Sequence, residues 1–181
     1  MIFYIHGLGG GEKSATYQGL KQHFGDVILL AYPSESAPFA ENLRVISEKF
    51  FYHAKFSENV VVVGTSLGGF FATKLADLCA EYELPRLRLL LVNPAATPFK
   101  TASGLGYPKE LVDTYKGIEI SRNAGVKKIV VLADDDELLN PDETAAILSP
   151  CRMERFARGG HSCWNALGGD IAGFVRELEG A

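Results

Sequence analysis

Six short runs of apolar and β-branched residues punctuate the chain: Ile2–Ile5, Val27–Leu30, Val60–Val63, Leu87–Val92, Ile129–Leu132 and the more charged Cys151–Phe156. The first five lack the in-out alternation of a half-solvated strand, which predicts strands covered on both faces of a parallel sheet. The sixth reads as an edge strand. Between the runs, apolar positions recur at steps of three and four. Phe39, Leu43, Ile46 and Phe50 trace one helix face, Phe71, Leu75, Leu78 and Tyr82 a second. Trp164, Leu167, Ile171, Phe174 and Leu178 trace a third. Such stripes are core-facing helix surfaces. Strand–helix alternation along the whole chain predicts an α/β fold with a doubly wound parallel sheet.

Composition narrows this to one domain. The chain has 181 residues, 47% of them hydrophobic, enough for a single well-cored unit over 1–181. One segment breaks the rhythm. Asn93–Val126 contains Pro94, Pro98 and Pro108 and the stretch "SGLGYP", with room for one helix near Lys109–Tyr115. A connection this long is usually functional. A net charge of −4 with no basic stripe argues against nucleic acid and anionic membrane as partners. Three cysteines, Cys79, Cys151 and Cys163, form no C-x-x-C and suit a reducing compartment. The opening "MIFYI" lacks a basic flank and is too short to span a bilayer, so no membrane insertion and a cytoplasmic location are expected.

The sharpest chemical signal is Gly64-Thr65-Ser66-Leu67-Gly68, a G-x-S-x-G between a predicted strand and a predicted helix. The strand must turn sharply there, and glycines two residues either side of the serine relieve the crowding. The turn lifts the hydroxyl of Ser66 to the carboxyl end of the sheet, where open α/β sheets bind ligands. The bland alternative is a glycine-assisted turn with an idle serine. A nucleophilic serine needs a base and an orienting acid, which follow it in the chain on this fold. Of the four histidines, His6 precedes the serine, and His23 and His53 fall in amphipathic helices. His161 lies between the last strand and the last helix, after Gly159 and Gly160. The acid is sought in "ADDDELLNP", at the end of the fifth strand. Asp136 lies three residues past Ala133, with Leu138 and Leu139 expected to pack the loop down; Asp134 and Asp135 stay open as alternatives. The remaining carboxylates read as a solvated acidic loop. An EF-hand calcium loop does not fit, because its turn glycine and downstream ligands are missing.

The opening "HGLGGGEKS" nearly matches two phosphate-loop patterns and fails both at Glu12. A second use fits better. An acyl-transfer site needs two N–H donors for the oxyanion: one from the residue after the nucleophile, Leu67, and one from a loop after an early strand. Leu8 is the second candidate. Glu12 is then expected at the start of the first helix, where an acid is favoured.

Taken together, "YIHGLGGG", "GTSLGGFFATKLA", "LLLVNPAATPF", "ADDDELLNP" and "GGHSCW" resemble the YqiA-type esterases, small bacterial cytoplasmic enzymes of the α/β-hydrolase superfamily. The resemblance covers most of the chain. It implies Ser66 as nucleophile, His161 as base, Asp136 as acid and donors at Leu8 and Leu67. It also implies hydrolysis of acyl esters or thioesters, with no metal and no cofactor. That family's acid segment commonly begins Gly-Asp-Glu, against Asp135-Asp136-Glu137 here. A six-stranded parallel sheet in the order 2-1-3-4-5-6 is expected, without the early antiparallel strands of larger hydrolases. The segment 93–126 would then form a small lid, with Phe99, Leu105 and Tyr107 lining an acyl pocket. The competing readings are an acyl-CoA thioesterase and a binding protein that keeps the pocket without chemistry.

Overall fold

The structure, a computed structural model, describes residues 1–55, 57, 59–82, 86–123 and 125–180. Six strands form one parallel sheet: β1 Ile2–Ile5, β2 Val27–Leu29, β3 Asn59–Thr65, β4 Arg86–Val92, β5 Lys128–Ala133 and β6 Arg152–Phe156. Their order is β2-β1-β3-β4-β5-β6, with every pairing parallel. This is the expected order of an α/β-hydrolase sheet. The strand runs work because both faces are covered. Val60 and Val62 of β3 enter the core on one side with α2 (Phe39–Ala54) and α3 (Leu67–Glu81). Val61 and Val63 enter the core on the other, with α1 (Ala15–Phe24) and α7 (Trp164–Glu179). A period of two along the strand thus feeds two cores rather than one core and solvent.

The edges differ from the centre. β2 is only three residues long. β6 is partly exposed, and Arg152 pairs with Glu154 and Glu177 while Arg155 pairs with Asp134 and Asp142.

Two expectations need correction. The segment 93–126 holds two short helices, α4 Pro98–Gly104 and α5 Lys109–Asp113, rather than one. Pro98 starts α4 at a position where its missing N–H costs nothing. Glu12 does not begin a helix. α1 starts at Ala15, and Ser14 caps it by accepting the Tyr17 N–H. The remaining connection, α6 Pro141–Leu148, is capped by Asn140.

The ladder continues one residue past the strands at their carboxyl ends. Ser66 N donates to Val92 O, Asn93 N to Val131 O and Asp134 N to Phe156 O. The three loops that follow therefore start from fixed, adjacent positions. Among the described residues no helix is long and apolar enough to cross a membrane.

Candidate functional site

Ser66 sits at φ 52°, ψ −123°, outside the comfortable regions for a side-chain-bearing residue. Its surroundings hold it there. Its carbonyl accepts from Gly69 N (2.9 Å) and from Ala95 N (2.9 Å), so both α3 and the loop after β4 fix the turn. The flanking glycines are required by contact. A Cβ on Gly68 would lie 2.1 Å from Ile5 O, and one on Gly64 2.5 Å from Gly68 O. The turn can therefore press directly against the end of β1.

The loop after β1 closes over the serine from the other side. A Cβ on Gly7 would stand 3.0 Å from Ser66 Cβ. His6 shapes this loop: its Nδ1 donates to Gly7 O at 2.7 Å, its Nε2 faces Tyr32 N at 3.4 Å, and its ring stacks on Tyr32. Burial pushes its pKa down, in keeping with a neutral, structural imidazole. Gly10 N bonds back to Gly7 O, and Gly9 N donates to Ser34 Oγ. The N–H groups of Leu8 and Leu67 donate to no acceptor among the described residues.

His161 arrives from the loop after β6. Its Nδ1 lies 2.9 and 3.0 Å from the two carboxylate oxygens of Asp136. The side chains are 15% and 2% exposed, so the pair is shielded from water. Burial alone would raise the Asp136 pKa. The imidazole and the Leu139 and Leu138 N–H groups together outweigh it and leave the carboxyl below its ordinary value. Ser66, His161, Gly7 and Leu8 line one cavity of about 240 Å³, together with Tyr4, Thr65 and Leu138.

A model of the family described as "Uncharacterised protein family (UPF0227)" matches residues 1–165. The chain belongs to that family. It is similar to the UPF0227 protein YcfP of Escherichia coli, 26% identical over 151 residues and 80% of each chain. It is also similar to the UPF0227 protein of Yersinia pseudotuberculosis, 29% identical over 157 residues and 83% of each chain. Est1E from Butyrivibrio proteoclasticus superposes with a TM-score of 0.76 at 14% identity, over 99% of this chain and 88% of that one. A hyperthermophilic esterase from Pyrobaculum calidifontis does so at 0.71 and 15%, over 99% and 75%. At such identities the likeness establishes the fold, that of the α/β-hydrolases.

The acidic loop of this UPF0227 chain is not merely solvated, as its composition suggested. Asp135 Oδ1 accepts from Gly159 N (2.8 Å) and Gly160 N (2.7 Å), and Glu137 Oε2 accepts from His161 N (2.9 Å). Asp134 instead pairs with Arg155. Three successive carboxylates thus bind the histidine loop: two hold its backbone and one its ring. Leu138 does not pack the loop down, being 50% exposed at the cavity mouth; the loop is fixed by its N–H bonds to Asp136.

Asn93 is the residue that patterning could not single out. It adopts φ 40°, which asparagine tolerates better than most residues. Its Nδ2 lies 3.0 Å from Gly160 O and from His161 O and 3.1 Å from Cys163 Sγ. Its Oδ1 accepts from Ala133 N at 2.9 Å. One side chain therefore ties the end of β4 to the end of β5 and to the histidine loop. Cys163 is buried beneath this clamp, its thiol pushed up to about 12, chiefly by burial. That makes it a packing residue rather than a nucleophile.

Of the residues expected to line an acyl pocket, Leu105 lines the Ser66 cavity, whereas Phe99 and Tyr107 do not. Leu105 and Leu138 are also shared with a second cavity of about 390 Å³, bordered by Lys100 and Glu143, which pair at 2.7 Å between α4 and α6. Phe99 is 37% and Leu105 42% exposed. Among the described residues no group of three or more His, Cys, Asp or Glu side chains is placed to hold a metal ion.

Proposed function

We propose that this chain is a serine hydrolase of carboxylic esters, acting through Ser66, His161 and Asp136. The observation that carries the reading is the shielded His161–Asp136 pair opening on the cavity that holds the strained Ser66. Asp136 accepts Nδ1–H, which leaves Nε2 as the free base. As Ser66 Oγ attacks the carbonyl carbon, Nε2 takes its proton. Charge developing on the carbonyl oxygen is met by the unused N–H groups of Leu8 and Leu67, helped by the α3 N-terminus. His161 then protonates the departing alcohol, leaving an acyl-Ser66. Water, deprotonated by the same imidazole, releases the acid and restores the serine. Among the described residues the Ser66 hydroxyl is not bonded to His161, and such bonds tighten when substrate arrives.

The segment 93–126 acts as a partial lid in this reading. Leu105 forms part of the wall between the two cavities, and Phe99 and Tyr107 stand on the lid around it. The working place is the cytoplasm, which suits three unpaired cysteines. The same groups could open a thioester, so relative turnover of a matched oxyester and thioester fixes the preferred class.

The test is labelling with a fluorophosphonate followed by intact mass, beside turnover of para-nitrophenyl acetate. One adduct on the native protein and none on Ser66→Ala is expected. Ser66→Ala or His161→Ala should lower kcat by roughly 10⁴-fold or more. Ordinary turnover by Ser66→Ala would overturn the assignment.

A further inference from the structure

The Ser66 cavity has two kinds of lining. Leu8, Leu105 and Leu138 supply an apolar part. The rest is rich in hydroxyls, four of which belong to Tyr4, Ser14, Thr16 and Thr65. Nothing in the acyl-transfer chemistry above uses them. They meet at the Tyr4 phenol, which bonds Ser14, Thr16 and Thr65. Ser14 Oγ accepts the Tyr17 N–H at 3.1 Å, so its proton is free, and it donates to the Tyr4 phenol oxygen at 3.1 Å. That oxygen lies 2.9 Å from Thr65 Oγ1. A phenol carries one proton. Ser14 donates to the phenol, and Thr16 bonds it as well; in the Tyr4–Thr65 pair either oxygen can donate, and the subsite uses the arrangement in which Tyr4 does. When Tyr4 donates, the Thr65 hydroxyl has its own proton left over, and Thr65 borders the cavity one residue before Ser66. Burial raises the Tyr4 pKa, so the phenol stays a donor across the working pH range.

We propose that this cluster of hydroxyls is a polar subsite, in which Thr65 presents a hydrogen-bond donor to the substrate. The chain would accordingly favour small esters that carry an acceptor oxygen, as ether, hydroxyl or carbonyl, close to the scissile carbonyl. The inference rests on Ser66 being the nucleophile and adds the class of ester. Size points the same way. About 240 Å³ is below the roughly 300–1,000 Å³ of cavities that enclose drug-sized ligands. A plain alkyl group placed there leaves the donor unmet, and a site built to hydrogen-bond rejects the analogue lacking the partner.

The experiment compares two esters of the same length, para-nitrophenyl methoxyacetate and para-nitrophenyl butanoate. Their ratio of kcat/KM is divided by their ratio of alkaline hydrolysis rates, which removes intrinsic reactivity. The native protein should favour methoxyacetate on the order of five-fold after that correction, the worth of one hydrogen bond. Thr65→Val should bring the corrected ratio close to one, and Tyr4→Phe, which leaves the Thr65 proton but no longer orients it, should lower the ratio part-way, both mostly through KM, because the lost contact does not touch the reacting atoms. The double variant Tyr4→Phe/Thr65→Val leaves neither hydroxyl orphaned and serves if a single variant folds poorly; fluorophosphonate titration gives the active fraction. Turnover of both esters with a corrected ratio near one in the native protein overturns the subsite and leaves the Ser66 reading standing. Turnover of neither ester, with no fluorophosphonate adduct, overturns the Ser66 reading and the subsite with it. An unchanged ratio in the double variant means that the preference arises elsewhere, and the subsite falls.

Discussion

Replacing Asn93 by aspartate exchanges one heavy atom and should unfasten the histidine loop. The substitution keeps the acceptor for Ala133 N and a side chain tolerant of φ 40°. It removes the amide donor that faces Gly160 O and His161 O, both at 3.0 Å, and sets a carboxylate oxygen against them. Two hydrogen bonds are worth about 1 kcal/mol each, and the repulsion between oxygens adds about as much as one of them. The loss is therefore about 3 kcal/mol, or about 6–12 °C in Tm for a chain of this size. The pH dependence identifies the cause. Burial beside carbonyls raises the new carboxyl's pKa in the folded state above its unfolded value of about 3.9. A group whose pKa is raised by folding favours the fold below its unfolded pKa and loses that contribution as pH rises through the folded one. The gap in Tm between native protein and Asn93→Asp should therefore widen from about pH 4 to about pH 8. Calorimetry at several pH values reads it directly, and kcat on a simple ester should fall in parallel, on the order of ten-fold or more, as His161 shifts. A variant within about 2 °C of native at pH 8, or a gap independent of pH, would show that the amide does not clamp the loop.

Three further outcomes are expected. Gly68→Ala puts a methyl 2.1 Å from Ile5 O, so β1 and the turn cannot both keep their places; denaturant unfolding should show a loss of more than about 3 kcal/mol and no fluorophosphonate labelling of the folded fraction. The lowered pKa of Asp136 gives stability that is present above its unfolded pKa and lost as pH falls through the lower folded value; the stability gap between native protein and Asp136→Asn should close on acidification below about pH 4, and a constant gap would refute the carboxylate's role. Leu105→Ala opens the wall between cavities of about 240 and 390 Å³; the preferred acyl chain should lengthen by one or more carbons in a para-nitrophenyl ester series, and an unchanged profile removes Leu105 from the pocket.

The parts of this molecule governed by repetition could be read directly from the residues. Val60–Val63 declares a strand covered on both faces because four β-branched residues in a row suit nothing else so well. Ser66 stands out because its turn needs glycines at fixed offsets, and His161 because chain order leaves no other candidate for the proposed base. What escaped depends on single contacts between segments far apart in sequence. Asn93 bonds 67 and 68 residues ahead, and one asparagine before a proline looks like any turn. Asp135 and Glu137 look like solvated charge until Gly159 and His161 are folded onto them. α4 is too short for a periodic stripe, and Pro98 reads as a breaker although it stands at a helix start, whereas the helix expected near Lys109–Tyr115 is present as α5.

The two sheet borders have a bearing on how copies of this chain meet. Open strand edges offer unpaired N–H and C=O groups to any other extended segment, and unprotected ones invite edge-to-edge association. Here β2 offers three residues, too few for a lasting ladder. At β6 an incoming strand would meet Arg152 and Arg155, each engaged with two carboxylates, and charged side chains on an edge disfavour strand addition. Both borders are thus poor sites for strand addition between copies, and the exposed apolar side chains Phe99, Leu105 and Leu138 lie away from them.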